Sequence, residues 1–267
     1  MQPAIEALAE RCRVITDSLP GDPGSLSPLE PGTGFDIHVA WLDTLLTRAG
    51  LKQATVCGVS YGGLVALRYA AARPERAPAL ALVSTPSPTW KPTCRIDWYL
   101  RAPRLLSPVF ALSSPARLYP EIASAFPNIV ARTKFMAKHL RRVVRYPFRP
   151  TRMATRVRLL EGVDFAVDCK RIGVPTLVVT GEPDLDRVVP VSSTRDYLEA
   201  IDGARYDRLP GTGHIGLVTR PDAFRDIIGS FVETATAVSS PASASPVPAN
   251  ESSTGSASSP APGFITP

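Results

Sequence analysis

Ala54-Thr55-Val56-Cys57-Gly58-Val59-Ser60-Tyr61-Gly62-Gly63-Leu64 passes from an apolar, β-branched run directly into a helix-forming run, with a serine framed by glycines at the join. A strand that turns this sharply into a helix lifts a serine hydroxyl above the sheet edge. Small residues two before and two after the serine are needed because the strained turn leaves no room for side chains. The arrangement reads as a nucleophile elbow. The pentapeptide Gly58 to Gly62 is common by itself, so its placement between strand and helix, and the partners downstream, give it weight.

Outward from the elbow the chain alternates strand and helix. Upstream, Arg13-Val14-Ile15-Thr16 reads as a short strand and Asp36 to Ala49 as an amphipathic helix, with Ile37, Trp41, Leu45 and Leu46 near one face and Gly50 as its stop. Downstream, the helix Leu64 to Ala72 ends before Pro74, and Ala79 to Val83 is continuously apolar, as a parallel strand covered on both faces should be. Such alternation predicts an α/β fold with a mostly parallel sheet flanked by helices. The pattern breaks at Thr85-Pro86-Ser87-Pro88 and resumes only at Val174 to Thr180. The intervening stretch, rich in Pro, Arg and aromatic residues, has short helical periods at Ile122 to Ala125 and Ile129 to Arg142. Inserted between two core strands, it reads as a helical lid or cap. A helix from Val191 to Ile201, a strand near Arg205 to Leu209 and a last helix from Asp222 to Val232 follow. The expected division is core 1–85, cap 86–172, core 173–234 and tail 235–267. The tail is nearly all Ala, Ser, Pro, Thr, Gly and Val, and such a composition predicts disorder.

Composition excludes several classes. The 267 residues suffice for one sizeable core. Apolar runs fall far short of the roughly 18 residues that cross a bilayer, so no stable membrane insertion is expected. Met1 to Arg13 has no basic start, apolar stretch or small-residue cleavage site, and a cytoplasmic protein is the expectation. Cys12, Cys57, Cys94 and Cys169 are too widely spaced for a zinc site and read as reduced, buried thiols; no metal is expected. Net charge is +6 and the pI about 9.3. Much of the excess lies in Lys134, Lys138, Arg141, Arg142, Arg145, Arg149, Arg152, Arg156 and Arg158. The run could contact phosphates or an anionic membrane surface, but Pro147 and Pro150 interrupt it, and it reads rather as a solvated outer face of the cap. No nucleic-acid partner is expected; binding through these arginines would fall steeply with salt. Trp90, Trp98, Tyr99, Phe110, Phe126 and Phe135 read as cap core. His38 and His139 read as packing or surface residues.

Two further loops complete a chemical constellation. Leu209-Pro210-Gly211-Thr212-Gly213-His214 follows the last predicted strand, and Gly181-Glu182-Pro183-Asp184-Leu185-Asp186-Arg187-Val188-Val189-Pro190 follows the strand before it. The order is nucleophile, acid, histidine, each at the carboxyl end of a core strand, where α/β sheets place their sites. On these motifs the chain resembles the α/β-hydrolase family, serine-nucleophile branch, from Val14 to about Val232.

The resemblance implies a hydrolase in which Ser60 is the nucleophile and His214 its general base, because a serine hydroxyl needs a neighbouring base to become reactive. A carboxylate behind the histidine fixes its tautomer. Asp184 and Asp186 compete for that place: Asp184 has the usual offset from Gly181, Asp186 the usual offset to Pro190. Asp186 is preferred because Asp186 to Pro190 fixes its own geometry. The backbone N–H of Tyr61 is the implied oxyanion donor. The expected substrate is a small molecule with a carboxylic ester or related acyl bond, and no cofactor is implied. A carbon–carbon hydrolase with the same triad, or a catalytically impaired protein that binds through cap and pocket, are the alternatives. The second alternative arises because the family's apolar strand ending in His-Gly, which carries the other oxyanion donor and lies between the Arg13 strand and the elbow strand, does not fit into Met1 to Cys12. A start codon placed too late, or a true fragment, would account for that. The loop Ser18 to Ser25 also departs from the family's usual pattern.

Overall fold

The structure is a computed structural model that describes residues 1–22, 25, 27–29, 32–145, 150–239 and 263–266. Strands β1 (Arg13–Thr16), β2 (Thr55–Val59), β3 (Leu80–Val83), β4 (Thr176–Thr180), β5 (Arg205–Arg208) and β6 (Gly263–Thr266) form one sheet in the order β1-β6-β2-β3-β4-β5. Each neighbouring pair is parallel, so the fold class is the expected one. Parallel neighbours need crossovers, and the helices that supply them cover both faces. On one face α2 (Ile37–Arg48) and α3 (Tyr61–Ala72) bury Trp41, Leu42, Leu46, Leu64, Leu67 and Tyr69. On the other, α1 (Gln2–Leu8) and α12 (Pro221–Ser239) bury Leu8, Phe224, Ile228 and Phe231. Alternate residues of β3 serve the two layers: Leu80 and Leu82 face the first, Ala81 and Val83 the second. That is why the strand is apolar at every position.

Between β3 and β4 the chain forms α4 (Cys94–Arg101), α5 (Ser107–Ala125), α6 (Ile129–Arg145), α7 (Pro150–Leu159) and α8 (Phe165–Arg171). The last of these, inside the 86–172 span expected as cap, belongs by its packing to the core. Its Phe165 and Cys169 join the cluster formed by α2 and α3, and Arg68 of α3 donates to Asp168 at 2.8 Å. Helix α5 is longer than its sequence suggests because Pro115 and Pro120 lie inside it; each removes one backbone donor without ending the helix. Trp98, expected in the cap core, is 59% exposed. Phe126 and Phe135 stack at 4.6 Å between ring centroids, while the side chain of Phe110 lies outside the described residues. Cys94 is exposed, against the expectation of four buried thiols; Cys12, Cys57 and Cys169 are buried. The helix expected over Val191 to Ile201 breaks at Asp196 into α9 (Val191–Arg195) and α10 (Tyr197–Ala200), and the short α11 (Gly216–Thr219) follows β5.

The segment read from composition as a tail divides. Helix α12 continues to Ser239, residues 240–262 and 267 lie outside the described residues, and Gly263–Thr266 is β6. All four residues of β6 pair with β1, and Phe264 and Ile265 pair with Thr55 and Val56 of β2. The position between β1 and β2, which the resemblance assigns to a strand that precedes Arg13, is therefore filled from the other end of the sequence. No local pattern in Ala/Ser/Pro-rich sequence announces that pairing, because it is non-local.

Candidate active site

The elbow is strained in the way its sequence requires. Ser60 sits at φ 54 and ψ −123 between β2 and α3. Such a backbone costs a non-glycine residue about 1–3 kcal/mol, which the surroundings must offset. The Ser60 N–H donates to the Val83 carbonyl at 2.8 Å, tying the turn to β3. A Cβ at Gly58 would lie 2.2 Å from the Gly62 carbonyl oxygen, so the glycine two before the serine is a steric necessity. Tyr61 is the first residue of α3, where a backbone N–H has no acceptor in a preceding turn and is free to serve a ligand.

His214 lies in the loop after β5, with its Nε2 3.1 Å from Ser60 Oγ and its Nδ1 3.3 Å from Asp186 Oδ2. A carboxylate only accepts, so the ring proton belongs on Nδ1, which leaves Nε2 to accept the Ser60 hydroxyl. The Asp186 side chain is 1% exposed against 14% for His214. Its other oxygen, Oδ1, accepts the N–H groups of Val188 at 3.0 Å and Val189 at 2.9 Å. The self-bracing expected of Asp186 to Pro190 is this pair of bonds. Asp184, in the same loop, is exposed and makes no hydrogen bond to His214. The two loops meet closely: a Cβ at Gly213 would lie 2.4 Å from the Leu185 carbonyl oxygen. The glycine before the histidine thus lets the histidine loop rest on the acid loop.

One residue at the site was not legible in the sequence. Glu121 of α5, fully buried, accepts from the Ile215 N–H at 3.0 Å and from Thr219 Oγ1 at 3.2 Å. It grips the stretch that follows His214. Burial raises its pKa, and those donors oppose the rise. A lone acid in a proline-containing helix of the inserted segment gives no sequence signal for that contact. A second link joins insertion and core: Arg156 of α7 donates to Asp22 and stands 5.6 Å from the centre of the Tyr61 ring. Tyr61 packs edge-on to Phe35 and His38, and its buried hydroxyl has no hydrogen-bond partner among the described residues. His38 is 1% exposed, so the packing reading of it holds; burial pushes its pKa down to about 4. His139 stacks on Phe135 in α6, away from this constellation. Among the described residues no group of His, Cys, Asp and Glu side chains is arranged to hold a metal.

With this geometry in place, comparison with known proteins gives the same answer as the fold. The model of the alpha/beta hydrolase fold matches residues 2–221. The chain belongs to the alpha/beta-hydrolase family. Among curated relatives, "Putative carbamate hydrolase RutD" of Klebsiella pneumoniae is 28% identical over 231 residues, covering 83% of this chain and 82% of that protein. The counterpart from Caulobacter sp. is 29% identical over 238 residues, covering 86% and 84%. Of solved structures, the enol-lactonase from Burkholderia xenovorans has a TM-score of 0.60 at 23% identity, covering 78% of this chain and 77% of that one. The meta-cleavage product hydrolase from Pseudomonas fluorescens has a TM-score of 0.64 at 19% identity, covering 88% and 84%. At such identities the structural likenesses speak for the fold and leave the reaction open. Among the described residues no helix is long and apolar enough to cross a membrane.

Proposed function

We propose that this alpha/beta-hydrolase is a serine hydrolase that cleaves a carboxylic ester or related acyl bond through an acyl-enzyme on Ser60. The reading rests above all on the unbroken relay from Ser60 Oγ through His214 to Asp186, at 3.1 and 3.3 Å. In the first half-reaction His214 Nε2 takes the hydroxyl proton as Ser60 Oγ bonds to the substrate carbonyl carbon. Charge that builds on the carbonyl oxygen is met by the Tyr61 N–H. The imidazolium, stabilised by Asp186, returns its proton to the departing oxygen or nitrogen as that bond breaks. Water then repeats the sequence: His214 deprotonates it, it attacks the acyl carbon, and Ser60 leaves with the proton. No step requires a metal or organic cofactor. The name carried by the curated relatives puts carbamates beside simple esters among the acyl compounds to be tried first.

A fluorophosphonate probe tests the reading without knowledge of the substrate, since it reports only an activated serine. The protein should be labelled, and Ser60→Ala should abolish labelling while the fold is retained. A folded wild-type chain that stays unlabelled, under conditions where a standard serine hydrolase reacts, would overturn the proposal in favour of a binding role.

A further inference from the structure

Helix α6 carries an exposed apolar face with cations along its flank. Its start is fixed by Asn128, whose Oδ1 accepts the Val130 and Ala131 N–H groups at 2.9 and 3.2 Å. One side is anchored: Phe135 stacks on Phe126, and Arg132 Nε donates to the Phe126 carbonyl at 3.0 Å. Elsewhere around the helix Ile129 is 66% exposed, Val130 58%, Met136 40% and Leu140 64%. Residues 129, 133, 136 and 140 follow helical spacing, so Ile129, Thr133, Met136 and Leu140 form a continuous stripe with Val130 at its edge. Lys134, Lys138 and Arg141 share the same spacing and lie beyond Val130, on the adjoining face of the helix, all exposed. No ion pair among the described residues engages any of the three. The sequence from Ile129 to Arg145 contains no acidic residue.

We propose that this face of α6 docks on the surface of an anionic lipid bilayer, with the apolar stripe entering the boundary between headgroups and acyl chains and the cations resting on lipid phosphates. Charge decides the occupant. Isolated exposed apolar side chains are unremarkable, but four exposed along one helix, with a cationic row on the adjoining face, match the pattern of a helix lying in a membrane interface. A second copy of the chain, paired through the same face, would bring Lys134, Lys138 and Arg141 against their like. A nucleic acid would neutralise the cations but leave the apolar stripe in water. An anionic bilayer satisfies both rows at once.

Sedimentation with lipid vesicles tests this on the full chain. At low salt it should pellet with vesicles containing about one third phosphatidylglycerol and remain in solution with pure phosphatidylcholine. Ile129→Glu with Leu140→Glu, and separately Lys134→Glu with Lys138→Glu, should each lower partitioning at least tenfold while melting temperature and far-UV circular dichroism are unchanged. Failure to bind the anionic vesicles overturns the proposal, as does binding that either folded double variant leaves undiminished. So does a concentration-dependent dimer in sedimentation velocity that the Ile129/Leu140 variant converts to monomer, since the face would then be a self-association surface.

Discussion

Asp186→Asn separates chemistry from architecture at the position where the sequence left two acids open. The asparagine Oδ1 can keep both backbone bonds, to Val188 at 3.0 Å and Val189 at 2.9 Å, so the loop retains its shape. Its amide then stands where Oδ2 accepts from His214 Nδ1 at 3.3 Å. An NH₂ group only donates, so the imidazole must present a lone pair at Nδ1 and carry its proton on Nε2, 3.1 Å from Ser60 Oγ. A base whose proton already faces the nucleophile cannot take another. Loss of the orienting acid in this manner lowers turnover about 10⁴-fold, or about 5.5 kcal/mol of barrier. Stability should change by less than about 1 kcal/mol, because neither backbone donor is orphaned. Asp186→Ala would orphan both, costing about 1–3 kcal/mol for each buried donor left unpaired. Asp184→Asn, at an exposed position, should stay within about 0.5 kcal/mol and leave the rate unchanged. The assay is the second-order rate of fluorophosphonate labelling, run beside thermal melts of the three variants. If Asp184→Asn abolishes labelling, or Asp186→Asn keeps more than about a tenth of the rate, the assignment and its tautomer argument fail.

Three further outcomes follow from particular contacts. Glu121→Ala removes the acceptor of the Ile215 N–H and of Thr219 Oγ1 and leaves a cavity, so it should cost about 2–4 kcal/mol and slow labelling of Ser60; an unchanged rate in a folded variant would refute the role given to the clamp. Ile265→Pro removes a backbone donor from a strand paired on both sides, and a drop in melting temperature equivalent to about 2 kcal/mol or more is expected; an unchanged melt would show that β6 adds nothing to the sheet. His38, held near 4 against an ordinary value of 6.5, stays neutral when folded and takes a proton when unfolded, so stability should be full above pH 6.5 and fall by up to about 3 kcal/mol as pH drops to 4. His38→Phe should flatten chemical-denaturation midpoints over that window, and a parallel pH dependence in the variant would exclude His38 as the source.

The elbow, the order in which serine, acid and histidine follow the core strands, and the alternation of strand and helix were all legible in the sequence, because each is a local matter. Gly58 must be glycine because its neighbour in space, Gly62, is only four residues away in the chain. Leu80 to Val83 must be apolar throughout because both faces of a parallel strand are covered. These are constraints of backbone sterics and periodicity, and a short window of residues contains them whole. Tertiary structure alone settled the rest. It brought Asp186 to His214 through a contact across 28 residues, brought Glu121 from 94 residues away onto the histidine loop, and put Gly263–Thr266 between β1 and β2. Each such choice compares the energy of one distant partner with another, and that comparison exists only once the chain has folded back to bring them together.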